Sequence, residues 1–208
     1  MRSIPDFCLE KNCGKKIVAG VDEAGRGPLC GPVVAGAVVF LKYDFTDMPV
    51  ITDSKQMNEK QRDIAYDWIT TNPDIVWAVA QCSAAEIDEL NILRASLTAM
   101  KRAVASLKMK PEYCLVDGNK MPDKICGEAV VKGDAKSLSI AAASILAKVT
   151  RDRIMHDLAK QFPEYCWDKN AGYPTQQHLA AIEKYGVNEH YRKTFGPVKK
   201  VLGICEKS

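Results

Sequence analysis

Residues 17–40 read IVAGVDEAGRGPLCGPVVAGAVVF. Two apolar runs flank a loop of acid, base and glycine. Ile17, Val18, Ala19 and Val21 form the first; Val33, Val34, Ala37, Val38, Val39 and Phe40 form the second. Their β-branched character, with glycine and proline punctuating the gap, predicts a hairpin in a buried sheet. The first run ends on adjacent carboxylates, Asp22 and Glu23, and Arg26 follows between Gly25 and Gly27. Burying two unpartnered acids is costly, and their repulsion pushes one towards protonation; a divalent cation removes both problems. An exposed, charge-rich turn is the competing explanation. The glycines weigh against it, because their backbone can approach a ligand closely and offer amide hydrogens to it.

A dinucleotide-binding loop would need G-x-G-x-x-G opening a helix. Here Gly25 and Gly27 are followed by Gly31, one residue too late, and by a second strand. A G-x-x-x-x-G-K-[ST] phosphate loop does not occur in the chain. Both nucleotide motifs fail on spacing.

The 208 residues, 47% of them hydrophobic, suffice for one sizeable core, so a single domain over 1–208 is expected. A net charge of +3 and a pI near 8.3 permit a polyanionic partner without demanding one. Aromatic content of 7% argues against a broad base-stacking platform. The eight cysteines include no C-x-x-C pair, which points to free thiols in a reducing cytosol. The charged N-terminus carries no apolar signal-peptide core, and no apolar run reaches the ~18–20 residues of a membrane span. A cytoplasmic protein with no membrane association is expected, with a monomer as the default.

Along the chain, residues 1–15 read as a loosely held lead-in. Thr52-Asp53-Ser54-Lys55 precedes a helix signalled by Asn58 and Gln61 at capping-box spacing, with Ile64, Ala65, Trp68 and Ile69 as its apolar face. Asp53-Ser54-Lys55 is either an ordinary helix leader or a phosphate contact near a helix N-terminus. Residues 75–81 predict a strand. Ser83 and Glu86 cap a short helix, and a longer one over about 91–108 carries a stripe of Leu93, Leu97, Met100, Val104 and Leu107.

Tyr113–Val116 is a short apolar strand that stops on Asp117-Gly118, repeating the first strand's ending. Ligands collect at the carboxyl ends of strands, so Asp22 and Asp117 meet there if their strands are neighbours. A turn-initiating Asp-Gly is the alternative. A strand over 129–131 ends on Lys132-Gly133-Asp134, and a long helix is expected from Ala135 to about Lys160, crowded with Ala and Ser at its start. Asp134 at the approach to that helix is the candidate fourth acid, favoured there by the dipole. Asp152, flanked by Arg151 and Arg153, competes for the role but reads as an ion-paired helix residue. Gly172-Tyr173-Pro174 closes a loop before a helix that Gly186 ends, with plain turn chemistry as the alternative reading. The tail from about 187 to 208 is basic, either facing nucleic acid or solvated. His156, His178 and His190 lack metal-ligand spacing and are expected to be surface or hydrogen-bonding residues.

The stretch VDEAGRGPLCGPVVAGAVV closely resembles the N-terminal signature of the type 2 ribonucleases H, the bacterial ribonuclease HII family in particular, and later segments extend the likeness over most of the chain. The resemblance implies an α/β ribonuclease H-like fold: a central mixed sheet flanked by helices, with a short helical C-terminal segment. It implies that Asp134, in KGD ahead of SIAAASILAKVTRDR, is the fourth acid and that Asp152 is supporting structure. Asp22, Glu23, Asp117 and Asp134 then form an all-oxygen set suited to two Mg²⁺ or Mn²⁺ ions and to phosphoryl chemistry. Adjacent strand residues point to opposite faces, so Glu23 either kinks out of the strand or reaches the ions differently from Asp22.

The implied activity is hydrolysis of the RNA strand of RNA–DNA hybrids and cutting at single ribonucleotides in duplex DNA, leaving 3′-hydroxyl and 5′-phosphate. In that setting Gly25, Arg26 and Gly27 sense the 2′-hydroxyl and adjoining phosphates. Tyr173 packs on the sugar at the cleavage junction, and Ser54, Lys55 and Lys148 contact phosphates. A non-catalytic nucleic-acid-binding module would not set four acids beside a polyanion. A different two-metal enzyme would not need the Gly-Arg-Gly insert together with Gly-Tyr-Pro.

Overall fold

A computed structural model of the chain describes residues 4–204. In chain order the elements are α1 (Cys8–Asn12), β1 (Val18–Ala24), β2 (Val33–Phe40), α2 (Glu59–Thr71), β3 (Ile75–Cys82), α3 (Ala84–Leu90), α4 (Ile92–Ala105), β4 (Tyr113–Asp117) and β5 (Gly127–Val130). A 3₁₀ turn (Gly133–Ala135) leads into α5 (Leu138–Gln161), and a second one (Pro163–Tyr165) precedes α6 (Trp167–Asn170), α7 (Gln176–Tyr185) and α8 (Gly196–Val201). The five strands form one mixed sheet in the order β3-β2-β1-β4-β5. β1 pairs antiparallel with β2 and parallel with β4, which is the pairing that joins two acid-ended strands.

Alternation along β2 sorts the two faces. Val33, Ala35, Ala37 and Val39 join the core built on α4, and Val38 and Phe40 join the one built on α2 and α5. The small residues of α5 serve the close approach expected of them. A Cβ on Gly20 of β1 would collide with the backbone of Ser139, and one on Gly36 of β2 would lie 2.5 Å from the Ala143 carbonyl oxygen. The helix therefore rests on the sheet backbone itself. Both capping boxes form, at Asn58/Gln61 and at Ser83/Glu86.

Several expectations need correction. Ile64 is exposed, and α2 buries Ala65 and Ile69. Leu93 is likewise outside the core, 39% exposed; α4 seats its Ala95, Ala99 and Ala103 with Met100 and Val104 against the sheet. Residues 135–137 do not belong to α5, whose N-cap is Ser137. Asp152 is ion-paired on α5 as expected, with Lys148 as its partner, and Arg153 reaches Asp63. The seven cysteines among the described residues are free thiols; Cys205 and the last of the basic tail lie outside the described residues.

The N-terminal lead-in is not loose over the described part. Phe7 packs on Phe40, and Glu10 is fully buried. The Glu10 carboxylate accepts from Ser137 Oγ at 2.6 Å and from the Ser139 amide at 3.0 Å, and Leu138 N–H donates to the Asp6 carbonyl at 2.9 Å. A carboxylate on the open amides of a helix start is favoured by hydrogen bonding and by the helix dipole. Glu10→Ala leaves those donors unmet and is expected to cost about 1–3 kcal/mol, read as a lower urea midpoint at unchanged slope.

Candidate active site

The register decides which acids meet. Val21 of β1 lies opposite Val116 of β4, so the next pair along the parallel ladder is Asp22 and Asp117. Alternation sends both to the α5 side, the side of Gly20 and Leu115, and sends Glu23 to the side of Ala19 and Val21. Glu23 does not kink away: it remains in β1, paired with Ala35, and its backbone N–H donates to Asp22 Oδ1 at 2.7 Å. Its carboxylate meets Arg26 Nη1 at 3.2 Å.

Asp117 carries the link to the fourth acid. Its Oδ1 accepts from the Gly133 amide at 2.7 Å, which ties the 3₁₀ turn bearing Asp134 to the end of β4. Asp134 thus sits in a turn fixed by Asp117, not in the first turn of α5.

The electrostatics follow. Asp22 is only 6% exposed. Burial first, then the Glu23 and Asp117 charges, hold its carboxyl well above the usual carboxylate range, against the Ser144 hydroxyl and the Glu23 amide. Burial and Asp117 raise Glu23, opposed by Arg26 and Lys55. Burial, Asp117 and Asp53 raise Asp134, again opposed by Lys55. The four carboxylates act on one another through this field, but no three His, Cys, Asp or Glu side chains among the described residues close into a ready-made ligand cage. An all-oxygen donor set whose members repel one another suits a hard divalent cation, which would relieve the repulsion.

The proposed substrate contacts divide. Arg26 is exposed beside Glu23, and Lys55 is exposed near Glu23 and Asp134. Tyr173 is 45% exposed, and its ring edge comes within 3.4 Å of where a Cβ on Gly27 would lie. Ser54 is different: it is 3% exposed and shares a 2.9 Å hydrogen bond with Ser144 Oγ, whose hydroxyl in turn supports Asp22. Its side chain is turned inward to Ser144 and not outward to solvent. Lys148 lies one turn beyond Ser144, held by Asp152 at 2.7 Å.

The sequence reading missed Ser144 and two buried arginines. Arg192, assigned to a solvent- or nucleic-acid-facing tail, is 0% exposed. It donates to the carbonyls of Gly25 (2.6 Å), Arg26 (3.0 Å), Pro28 (2.8 Å) and Gly31 (3.0 Å). Arg151 donates to Pro32, Cys30 and Ala171. Neither takes part in an ion pair among the described residues. Their only sequence signal is position, one within α5 and one before Gly196-Pro197-Val198.

A family model described as Ribonuclease HII matches residues 19–196. The chain belongs to the ribonuclease HII family. Ribonuclease HII of Aliivibrio salmonicida is 50% identical over 204 residues, covering 98% of this chain and 96% of that protein. Ribonuclease HII of Magnetococcus marinus is 52% identical over 199 residues, covering 93% and 91%. Among solved structures, ribonuclease H2 of Pyrococcus horikoshii superposes with a TM-score of 0.71 at 30% identity, over 89% of this chain and 96% of that one. The mixed five-stranded sheet flanked by helices is accordingly a ribonuclease H-like fold, and the protein is a hydrolase of the nuclease class. No helix among the described residues is long and apolar enough to cross a membrane.

The raised carboxylates fix a pH dependence for the cation-free protein. A folded pKa above the ordinary 3.8 of an aspartate means the folded state holds more protons in that window, so stability falls as pH rises through it. Asp22→Asn removes the most buried contributor. In EDTA the variant is expected to melt higher than the parent at pH 8, and the difference should shrink towards pH 4. Equal melting curves across that range would show that Asp22 is not under this repulsion.

Proposed function

We propose that this enzyme hydrolyses the RNA strand of RNA–DNA hybrids and cuts 5′ of single ribonucleotides in duplex DNA, with two Mg²⁺ or Mn²⁺ ions and RNA–DNA hybrid or ribonucleotide-containing duplex as partner. Family membership supports the ribonuclease H part. The observation that carries the rest is the joint placement of three acid-bearing segments, β1, β4 and the 133–135 turn, beside a Gly-Arg-Gly loop that faces Tyr173.

Asp22, Glu23, Asp117 and Asp134 would hold the ions. When bound, such ions supply an activated water and stabilise charge on the leaving oxygen. The chain's own residues supply placement. Gly25 and Gly27 let the loop backbone approach the 2′-hydroxyl, the one group that distinguishes a ribonucleotide at the backbone. Arg26, oriented by Glu23, and Lys55 offer cations to the neighbouring phosphates. Tyr173 packs on the next deoxyribose, where a 2′-hydroxyl fits poorly. Water adds to phosphorus as the bond to the 3′-oxygen breaks. The leaving 3′-oxygen takes a proton, and the phosphate stays on the 5′ side of the ribonucleotide. Ser144, itself hydrogen-bonded to Ser54, favours the charged form of Asp22.

The test is cleavage of duplex DNA carrying one ribonucleotide, with Mg²⁺ or Mn²⁺ and with EDTA. Asp117→Asn keeps an oxygen for the Gly133 amide but loses the charge. We expect about a 10³-fold or greater loss of cutting with binding little changed. Near-normal cutting by the variant would remove Asp117 from the ion-holding set. Cutting in excess EDTA would remove the ions from the mechanism.

A further inference from the structure

We propose that Arg151 is a positioning residue that sets the gap between the Gly25–Gly27 loop and Tyr173, and thereby the preference for a ribonucleotide–deoxyribonucleotide junction. The inference rests on the substrate reading above and deepens it.

Arg151 is 1% exposed, and its guanidinium bridges two segments distant in sequence. Nε donates to the Pro32 carbonyl at 3.0 Å and Nη2 to Cys30 at 3.1 Å, both in the loop between β1 and β2. Nη1 donates to Ala171 at 3.0 Å, two residues before Tyr173. A Cβ on Gly25 would collide with Arg151 Nε, so the loop lies directly on the guanidinium. One backbone bond also crosses the same gap, from Leu29 N–H to the Gly172 carbonyl at 2.8 Å.

The far side is built to be held. Ala171 and Gly172 both have positive φ, +47° and +82°. For alanine that conformation is strained, and it persists only where neighbours over-determine it. Arg151 grips the Ala171 carbonyl, and His178 Nδ1 lies 2.8 Å from the Tyr173 carbonyl oxygen. The two arginines therefore divide the work. The side-chain hydrogen bonds of Arg192 all go to carbonyls between Gly25 and Gly31, so it shapes the loop. Arg151 alone of the pair reaches the Tyr173 segment. A planar fork with donors at fixed angles can hold that span; a single ammonium cannot.

The experiment uses Arg151→Lys, which keeps the charge and loses the fork. On duplex DNA with one ribonucleotide, kcat/KM is expected to fall about 10²-fold, the effect of a misplacement near 1 Å. On a continuous RNA–DNA hybrid it should fall far less, because Tyr173 then meets a ribose it was not fitted to. In a Tyr173→Ala background, Arg151→Lys should no longer change the ratio between the two substrates. Equal losses on both substrates, or additive effects of the two changes on that ratio, would overturn the assignment and leave Arg151 as packing.

Gly172→Ala approaches the gap from the other side, since its Cβ would lie 2.8 Å from Cys30 Sγ. It should shift the substrate ratio in the same direction even if Arg151→Lys folds poorly; an unchanged ratio would count against the proposal. Amide hydrogen exchange gives a readout without substrate. In Arg151→Lys, protection at Leu29 should drop at least tenfold while Ala37 in β2 is unchanged, and retained protection at Leu29 would overturn the proposal. If the parent enzyme cuts neither substrate, the functional reading fails, and the exchange result still decides whether Arg151 sets the gap.

Discussion

The backbone of α5 lies against Gly20 of β1 and Gly36 of β2, closer than any intervening side chain permits. That contact hangs the rest of the site on one helix. Ser137, Ser144 and Arg151 are spaced seven apart, two turns each, and so follow one line along it. Ser137 takes the buried Glu10 and caps the helix; Ser144 supports Asp22; Arg151 holds the glycine loop. A bulkier residue at either glycine would lift this whole line off the strand ends it serves.

Charge is distributed unusually around that line. Carboxylates gather at the ends of β1 and β4 and in the turn after β5, where burial and repulsion raise three of them. Two guanidiniums lie buried beneath the adjacent loop, satisfied by carbonyls and not by acids. Buried ions are expensive, so neither group is there for stability alone. The pairing makes chemical sense for a polyanionic substrate: cations draw its backbone in from one side, and the acids repel it until cations of their own intervene. Arg26 pairs with Glu23, and the Lys55 charge acts on both Glu23 and Asp134.

The acids and the loop were readable from sequence because each has a local signature. Asp22-Glu23 and Asp117 follow apolar strand runs, and Gly25-Arg26-Gly27 breaks the pattern between two strands. The burial of Ser54 has no local signature, for an equally physical reason. A serine ahead of a helix looks the same whether its hydroxyl faces a phosphate or a buried partner, and that partner, Ser144, lies 90 residues away. The burial of Arg192 is equally invisible, because a basic, aromatic tail carries no mark of it. What it binds are backbone carbonyls, which every residue has and no sequence pattern records. Glu10 and Phe7 escaped notice likewise, their partners being a helix start and a strand end far along the chain.

By itself the sequence determined the strands β1 to β4 and the longer helices, the acid-bearing strand ends, the capping boxes and the kinship with ribonuclease HII, since all of these rest on residue type and short-range period; the short α1 and α6 carry no such period. Only the tertiary structure decided that β1 and β4 are parallel neighbours in register to set Asp22 beside Asp117, that Asp117 fixes the turn of Asp134, and that two arginines clamp the loop. Those facts depend on contacts between segments 16 to more than 160 residues apart, and no local propensity encodes which distant backbone a side chain will meet.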